Sequence, residues 1–127
     1  MRDTTVTMAV LKRRVADFVD ERGWHPPAKN LAVSIVIEAA ELLEKFQWDG
    51  YRDYEKKSKA QMQEIADELA DVLIYCLQFA TECDIDIAGV VERKLKKNAK
   101  KYPAHLFRGN KNPSLAYYRL KKKHRKK

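Results

Sequence analysis

The sequence predicts an all-α protein, both from its composition and from the spacing of its apolar residues. It has 127 residues, of which 45% are hydrophobic and 35% charged, and it contains only 4 Gly and 4 Pro. So few turn-forming residues favour helices over a turn-rich β fold. The length fits one domain, and the composition excludes a collagen-like or wholly disordered chain.

Four stretches show apolar residues at the three-to-four spacing of an amphipathic helix. They cover about residues 7–22, 31–47, 58–83 and 86–101. Gly23 ends the first stretch, and Asn30 suits the N-cap of the second. Ser58 suits the N-cap of the third, and Pro103 closes the fourth. The predicted connections are a proline-containing loop at 24–30 and a turn at 48–54.

Positive charge is concentrated at the C-terminal end of the chain. Residues 94–127 hold 14 Lys and Arg and no acidic residue, whereas residues 1–93 hold 12 basic and 18 acidic residues, a net charge of −6. The acidic body weakens the inference that a chain of net charge +8 binds nucleic acid. Acids in one part and cations in another also suit a metal-bound polyphosphate. We expect a domain at 1–109 and a basic, flexible tail at 110–127.

The second predicted helix carries two acids in an almost wholly apolar segment. Between residues 31 and 43 the polar side chains are Ser34, Glu38 and Glu41, which fall on one narrow strip at 100° per residue. A helix this apolar is predicted to be buried on most of its circumference. The thin polar strip is therefore expected to face a partner or a cleft.

The third predicted helix carries a second acidic pair, Glu68 and Asp71, on a polar face that also holds Glu64, Tyr75 and Gln78. Like charges at this spacing repel each other. Antiparallel packing of the two helices would gather four carboxylates in one small volume, where only cations stabilise them. Oxygen donors without His or Cys select hard ions, Mg²⁺ or Mn²⁺. The alternative is that they are ordinary solvent-exposed acids on amphipathic helices.

Several other residues allow both a structural and a functional interpretation. Trp24 and Trp48 each lie at a helix end beside a loop, where an indole ring either packs or stacks on a base. His25 is interpreted as a loop residue. Cys76 and Cys83 match neither a metal pair nor a disulfide framework, so we expect buried free thiols and a cytoplasmic protein. No apolar run is long enough to span a membrane.

Basic residues also line one face of the fourth predicted helix. Lys94, Lys97 and Lys101 lie there at helical spacing, with Asn98 between them. Such a row is either a solvated face or a site for phosphate groups.

Three blocks of this sequence resemble a known family. They are NLAVSIVIEAAELLEKFQW at 30–48, EIADELADVLIYCL at 64–77 and KLKKNAKKYP at 94–103. Two acidic pairs separated by 26 residues are similar to the signature of the MazG-like superfamily of all-α nucleoside triphosphate pyrophosphohydrolases. The wider blocks, within about residues 8–109, resemble its dCTP pyrophosphatase branch.

The resemblance implies a MazG-like helical bundle completed by homo-oligomerisation, a tetramer being favoured over a dimer. It implies Mg²⁺-dependent hydrolysis of dCTP, or of a modified or non-canonical dNTP, to the monophosphate and pyrophosphate, in nucleotide-pool sanitation. By position, the implied catalytic residues and metal ligands are Glu38, Glu41, Glu68 and Asp71. The implied substrate contacts are Trp24 and Trp48 at the base, and Lys94, Asn98, Lys101 and Tyr102 at the phosphates.

The loop after Trp24 departs from the pattern of this branch. Relatives follow a pattern like W-x-x-F-H-x-P-x-N, with two more residues before the position of Asn30, and Pro26 takes the place of the histidine. Because this loop shapes the base pocket, base selectivity stays open, and dUTP and phosphoribosyl-ATP are alternative substrates. Two alternatives from other classes are a nucleic-acid-binding helical protein acting through the basic tail and a catalytically inactive interaction module.

Overall fold

The computed structural model describes residues 1–50 and 53–125, and every regular element within them is a helix. The α-helices are α1 (Met8–Asp20), α2 (Ala28–Glu44), α3 (Lys59–Glu82), α4 (Ile87–Lys101) and α5 (Pro113–Arg125). Short 3₁₀ helices lie at Asp53–Lys56 and Ala104–Leu106. The predicted all-α class is therefore confirmed. The turn predicted at 48–54 includes residues 51 and 52, which lie outside the described residues.

The chain divides into two compact units, residues 1–87 and residues 88–127. The first unit contains α1, α2 and α3, and the second unit is formed by α4, α5 and their connection. This division follows from the internal contacts of each unit, and the domain predicted at 1–109 with a tail at 110–127 stays a prediction.

The core of the first unit lies where α3 packs against α2 and, over a smaller area, against α1. Its buried apolar residues are Val19, Leu31, Leu77 and Ala80. Lys45, just after α2, pairs with Glu68 near the start of α3, whereas Ser34 early in α2 shares a cavity with Gln78 late in α3. The two helices therefore run antiparallel, which is the arrangement needed to bring their acidic pairs together.

Helix α2 begins and ends about three residues earlier than the sequence predicts. Pro27 is the N-cap, and its carbonyl accepts hydrogen bonds from the backbone N–H groups of Asn30 and Leu31 at 2.9 and 3.3 Å. The prediction that Asn30 caps this helix is wrong, because Pro27 has the extended conformation that leads into a helix and needs no N–H partner. After Glu44 the chain continues with hydrogen bonds between residues three apart, as in a 3₁₀ helix, such as that from Phe46 N–H to the Leu43 carbonyl.

The start of α3 is as predicted. The Ser58 hydroxyl accepts a bond from Gln61 N–H at 3.2 Å, and the Gln61 side chain accepts one from Ser58 N–H at 2.9 Å. This reciprocal pair is a capping box, which satisfies two N–H groups that the first turn of a helix leaves without partners.

The basic C-terminal segment is helical, where the sequence predicts irregular structure and a flexible tail. Asn112 accepts a hydrogen bond from Leu115 N–H at 3.1 Å, and Pro113 is the first residue of α5. Asn and Pro break a helix in its interior, but they favour one at the N-cap and the first position. Asn112 and Pro113 therefore start a helix within the segment predicted to be a flexible tail. The last two residues of the predicted tail, 126 and 127, lie outside the described residues.

The apolar surface of α2 is far more exposed than predicted. Val36 and Leu43 are 68% and 70% exposed, and Leu31 is its one buried residue. On α3, Leu69 and Leu73 are also exposed. The prediction of burial on most sides is therefore wrong for the single chain, and apolar patches of this kind mark surfaces that bind another protein.

The structure bears on two predictions, that the chain has no membrane span and that both cysteines are buried free thiols. Within the described ranges, no helix has both the length and the apolar character needed to cross a bilayer. Cys76 and Cys83 are free; Cys76 is half-buried, as a core thiol would be, but Cys83 is exposed at the end of α3. The prediction that both thiols are buried is therefore wrong for Cys83.

Candidate active site

Three carboxylates from two helices converge on one point of the first unit. One oxygen each of Glu38, Glu41 and Glu68 lie within 4.8 Å of one another. Glu38 and Glu41 share one face of α2 because they are three residues apart, and α3 brings Glu68 to the same face. Glu38 and Glu68 are half-buried and Glu41 is exposed, so the cluster opens to solvent on one side.

Asp71 lies next to this cluster. Asp71 is not one of the three residues whose oxygens lie within 4.8 Å of one another, but its charge acts on Glu38. Desolvation by burial raises the pKa of Glu38 above its usual 4.5, and the charges of Glu41, Asp71 and Glu68 raise it further. A group of oxygen donors whose charges are this crowded fits a hard divalent cation, which would neutralise them.

Lys45 is the internal counter-charge of the cluster. Its Nζ lies 3.1 Å from Glu68 Oε1 and 3.8 Å from Glu64 Oε2. The hydrogen bond to Glu68 raises the pKa of Lys45. Among the residues that the structure describes, no lysine or arginine forms a salt bridge with Glu38 or Glu41, so the charges of these two carboxylates are available to a bound ion.

The connection between α2 and α3 is held by a buried lysine. Lys57 Nζ lies 2.6 Å from Asp49 Oδ2 and donates a hydrogen bond to the Lys45 carbonyl at 3.1 Å. Because these contacts fix the backbone at Lys45, they also fix the end of α2 against the start of α3.

Replacing Glu38 by Gln is expected to stabilise the metal-free protein slightly at neutral pH. In the wild type, the folded state keeps a proton on Glu38 at pH values above 4.5 where the unfolded chain has lost it. Stability therefore falls as pH rises through this window, and Glu38→Gln removes that fall. We expect a gain of about 0.5 kcal/mol in the free energy of unfolding at pH 7, typical of relieving one like-charge pair.

The measurement is denaturant unfolding of both proteins in EDTA between pH 4.5 and 7.5. The gain in the free energy of unfolding of Glu38→Gln over the wild type should shrink as the pH falls toward 4.5. Added Mg²⁺ should stabilise only the wild type. A variant that is less stable than the wild type across this range would contradict the account of the cluster.

A cavity of about 640 Å³ adjoins the cluster in the first unit. This volume lies within the range of about 300–1,000 Å³ that is usual for small-molecule sites. Its lining is Phe18, Val19, Trp24, His25, Pro26, Asn30, Ser34, Asp71, Ile74, Tyr75 and Gln78. Asp71 belongs to this lining and also acts on Glu38, so the cavity and the carboxylates form one site.

The lining of the cavity combines aromatic and polar groups. Trp24 packs edge-on against Phe18, with ring centroids 6.0 Å apart, and the Arg22 guanidinium lies 3.7 Å from the Phe18 ring centroid. Gln78 is buried, and Asn30 and Ser34 add a side-chain amide and a hydroxyl. An apolar wall with a few polar groups is the usual composition of a site for a small molecule with a ring.

Trp48 lies outside this cavity, although the resemblance implies that it encloses the base together with Trp24. It is 89% exposed, beyond the end of α2. Within one copy of the first unit the two tryptophans therefore do not line the same cavity, and a role for Trp48 at the base stays a prediction.

The four residues implied at the phosphates all belong to the second unit. Lys94 is exposed on α4, where it lines a separate cavity of about 600 Å³ with Val90, Val91, Arg93, Leu95 and Lys97. The Asn98 carbonyl accepts a hydrogen bond from Tyr102 N–H at 2.7 Å, and Lys101 Nζ lies 5.1 Å from the Tyr102 ring centroid. Among the described residues, no acid lines the α4 cavity, so this lining offers no carboxylate ligands for a metal.

Sequence reasoning missed part of the cavity. It placed Ser34 on the polar strip of α2 and Tyr75 and Gln78 on the polar face of α3, but gave none of them a role. It interpreted Asn30 only as a cap. The signal was the continuity of each polar face beyond its acidic pair, because residues on one face of a helix meet the same cavity.

An all-α chain with a carboxylate cluster beside a ligand-sized cavity has the features of a helical protein that binds a metal ion and a small molecule. The model of the MazG-like family matches residues 33–112. This match includes both acidic pairs and covers more than half of the chain. The chain therefore belongs to the MazG-like family.

Named relatives agree with this assignment. The chain is 38% identical over 112 residues to dCTP pyrophosphatase 1 of Rattus norvegicus and to that of Homo sapiens. Each match covers 82% of this chain but 64% of the relative, so the chain spans less than two thirds of their length. Among solved structures, it resembles a pyrophosphatase from Archaeoglobus fulgidus with 42% identity and a TM-score of 0.70, over 81% of this chain and 98% of that one.

Proposed function

We propose that this protein is a Mg²⁺-dependent nucleoside triphosphate pyrophosphohydrolase that cleaves dCTP or a modified dNTP to the monophosphate and pyrophosphate. The observation that supports this most is the position of Asp71, which lines the cavity and acts electrostatically on the Glu38 carboxylate. A nucleoside in the cavity would thus carry its phosphates toward the carboxylate cluster. The names of the relatives and of the solved pyrophosphatase support the same reaction.

The carboxylate cluster is the proposed metal site. Glu38, Glu41, Glu68 and Asp71 would hold Mg²⁺, and the ion would neutralise charge that develops on the triphosphate. Lys45 keeps Glu68 in place through the 3.1 Å contact. Because the cluster opens to solvent beside Glu41, the phosphates approach from that side.

The cavity is the proposed nucleoside site. Trp24 offers its ring to the base, and the buried Gln78 offers both a donor and an acceptor to the polar edge of the base. Asn30 and Ser34 lie on the opposite helix and suit the sugar hydroxyl. His25 and Pro26, from the loop that departs from the family pattern, also line the cavity, so this loop is where base selectivity is set.

The proposed reaction is a single displacement. Water attacks the α-phosphorus, the bond from that phosphorus to the α,β-bridging oxygen breaks, and pyrophosphate leaves with the bridging oxygen. The proton of the attacking water passes to solvent or to a cluster carboxylate. We assign the phosphate contacts to Lys94, Asn98, Lys101 and Tyr102, supplied by a neighbouring subunit.

We also propose a homo-oligomer, with a tetramer favoured over a dimer, in the cytoplasm. The exposed apolar residues Val33, Val36 and Ile37 lie on one side of α2, and Leu69 and Leu73 are exposed apolar residues of α3. We expect Ile37→Asp to reduce the assembly by at least one step, because a buried unpaired charge at such an interface costs several kcal/mol. Light scattering after size exclusion measures this, with the exposed polar change Gln63→Asp as control; a monomeric wild type would contradict the proposal.

Replacing Trp24 by Ala is expected to weaken substrate binding rather than chemistry. Loss of the stacking ring should raise KM about tenfold, and kcat should fall less, because the carboxylates stay in place. Trp24→Phe, which keeps a ring against Phe18, should recover part of the loss. Steady-state kinetics of the three proteins separate the effect on KM from the effect on kcat. An unchanged KM in Trp24→Ala would contradict the assignment of this ring to the base site.

The test of the proposed function is pyrophosphate release from a panel of canonical and modified NTPs and dNTPs, with Mg²⁺ and with EDTA. We expect Mg²⁺-dependent release from one or a few deoxynucleotides, with cytosine nucleotides among them. Release from no triphosphate would refute the proposal, and release of orthophosphate in place of pyrophosphate would refute the assigned bond.

A further inference from the structure

Within the second unit, helix α5 carries a cationic surface that the proposed hydrolysis does not use. Glu92 is the last acidic residue of the sequence, and it pairs with Lys96 at 3.2 Å. Every cation beyond residue 96 therefore lies in a segment that has no carboxylate side chain of its own. On α5, the exposed cations are Arg119, Lys122, Lys123 and Arg125.

Exposed aromatic rings lie among these cations. Tyr118 is 65% exposed, and its ring meets the Tyr117 ring edge-on with centroids 5.5 Å apart. Tyr117 in turn stacks on Tyr102, at 5.1 Å and an interplanar angle of 29°. The contact with Tyr102 anchors α5 to the end of α4 within the second unit. Tyr118 is thus held through Tyr117 and Tyr102, with most of its surface open.

The order of residues along α5 places this ring in line with two cations. Lys122 follows Tyr118 by four residues and Arg125 follows it by seven, so the three side chains share one face of the helix. Lys121, one residue earlier than Lys122, is half-buried with its Nζ 5.5 Å from the Tyr117 ring centroid. The exposed tyrosine ring and the two cations together suit a single strand of nucleic acid, which presents both unpaired bases and phosphates.

We propose that the exposed face of α5, defined by Tyr118, Lys122 and Arg125, binds single-stranded nucleic acid. Cations contact successive phosphates, and the tyrosine ring stacks on an unpaired base, a contact that every base allows. A duplex offers the phosphates but no free base face. A helix that lies on an anionic membrane needs a broad face of large aliphatic or indole side chains, whereas the exposed large apolar residues of α5 are Leu115, Tyr117 and Tyr118.

The test measures fluorescence anisotropy of the full chain with labelled 20-nucleotide strands of DNA and RNA in EDTA, where no hydrolysis of triphosphate takes place. With the two phosphate contacts of Lys122 and Arg125, affinity should fall about sevenfold between 50 and 200 mM KCl, since each contact adds about 0.7 to the salt exponent of a single strand. Comparison of the two strands shows whether ribose or deoxyribose is preferred. The matched DNA duplex and vesicles of anionic lipid serve as competitors.

Variants separate stacking from charge. Tyr118→Ala should lose about tenfold in affinity and Tyr118→Trp should keep it. Lys122→Gln with Arg125→Gln should lower the salt exponent by about 1.4. Arg13→Gln with Lys59→Gln makes the same charge change at exposed positions of the first unit and should leave affinity unchanged.

Four results would overturn the proposal. They are no binding of either strand at 50 mM KCl, an equal loss in the first-unit control, no effect of Tyr118→Ala, and tighter binding of the duplex or of the vesicles than of the single strands. The proposal does not depend on the hydrolytic function, because the assay contains no divalent metal. Failure of one therefore leaves the other standing.

Discussion

Glu41→Gln is expected to abolish hydrolysis while leaving the fold intact. Glu41 is exposed, so its replacement by an isosteric amide disturbs no packing, but it removes one charge from the group whose oxygens lie within 4.8 Å. Metal-assisted stabilisation of developing charge is worth several kcal/mol, and each 1.36 kcal/mol is a factor of ten in rate. We expect kcat/KM to fall at least about a hundredfold. Thermal unfolding with and without Mg²⁺ should show that the stabilisation by metal is lost as well.

Glu44→Gln is the matched control for this variant. Glu44 is an exposed acid three residues further along α2, and the charge change is the same, but it is not in the cluster. Its activity should stay within about twofold of the wild type. Wild-type turnover in Glu41→Gln at low Mg²⁺ would contradict its assignment as a ligand.

Asp71→Asn is the second variant with a large expected effect. Asp71 lines the cavity and acts on Glu38, so in the proposed mechanism its charge lies where the phosphates would meet the metal site. We expect kcat to fall about a hundredfold, equivalent to roughly 2.7 kcal/mol. Binding of the nucleoside monophosphate should change little, because the Trp24 and Gln78 contacts remain.

Asp67→Asn controls for the loss of an acid on α3. Asp67 is exposed one turn before Asp71 and accepts a hydrogen bond from Gln63 at 2.8 Å. This variant should keep near-normal kcat, measured as pyrophosphate release under saturating substrate. If the two variants lose activity equally, the effect comes from the general charge of the helix and not from the position of Asp71.

Each acidic pair was predictable because helical periodicity places its two members on one face, and the cluster needs in addition the antiparallel packing of α2 and α3. Glu38 and Glu41 must share a face at a spacing of three, and so must Glu68 and Asp71. What periodicity leaves open is which other residues join them. Gln78 lies in the cavity because of how α2 and α3 align, and that alignment depends on the core contacts of both helices.

Local signals were misread where one residue type has opposite meanings at different positions. Asn112 and Pro113 interrupt a helix interior but start α5, and Pro27 starts α2 before Asn30 can cap it. The exposed apolar residues of α2 show a second limit of prediction from sequence, which concerns the partner that covers an apolar surface. An almost wholly apolar helix predicts burial of its surface, but the sequence does not say whether it is buried in the same chain or against another protein.

The most direct test of the proposed reaction is hydrolysis of dCTP with Mg²⁺ in water labelled with ¹⁸O, followed by mass spectrometry of both products. Attack at the α-phosphorus predicts one ¹⁸O atom in dCMP, none in pyrophosphate, and no products when EDTA replaces Mg²⁺. Label in pyrophosphate would show attack at the β-phosphorus, and dCDP with orthophosphate would show cleavage of the other bond. Either result would contradict the proposed reaction.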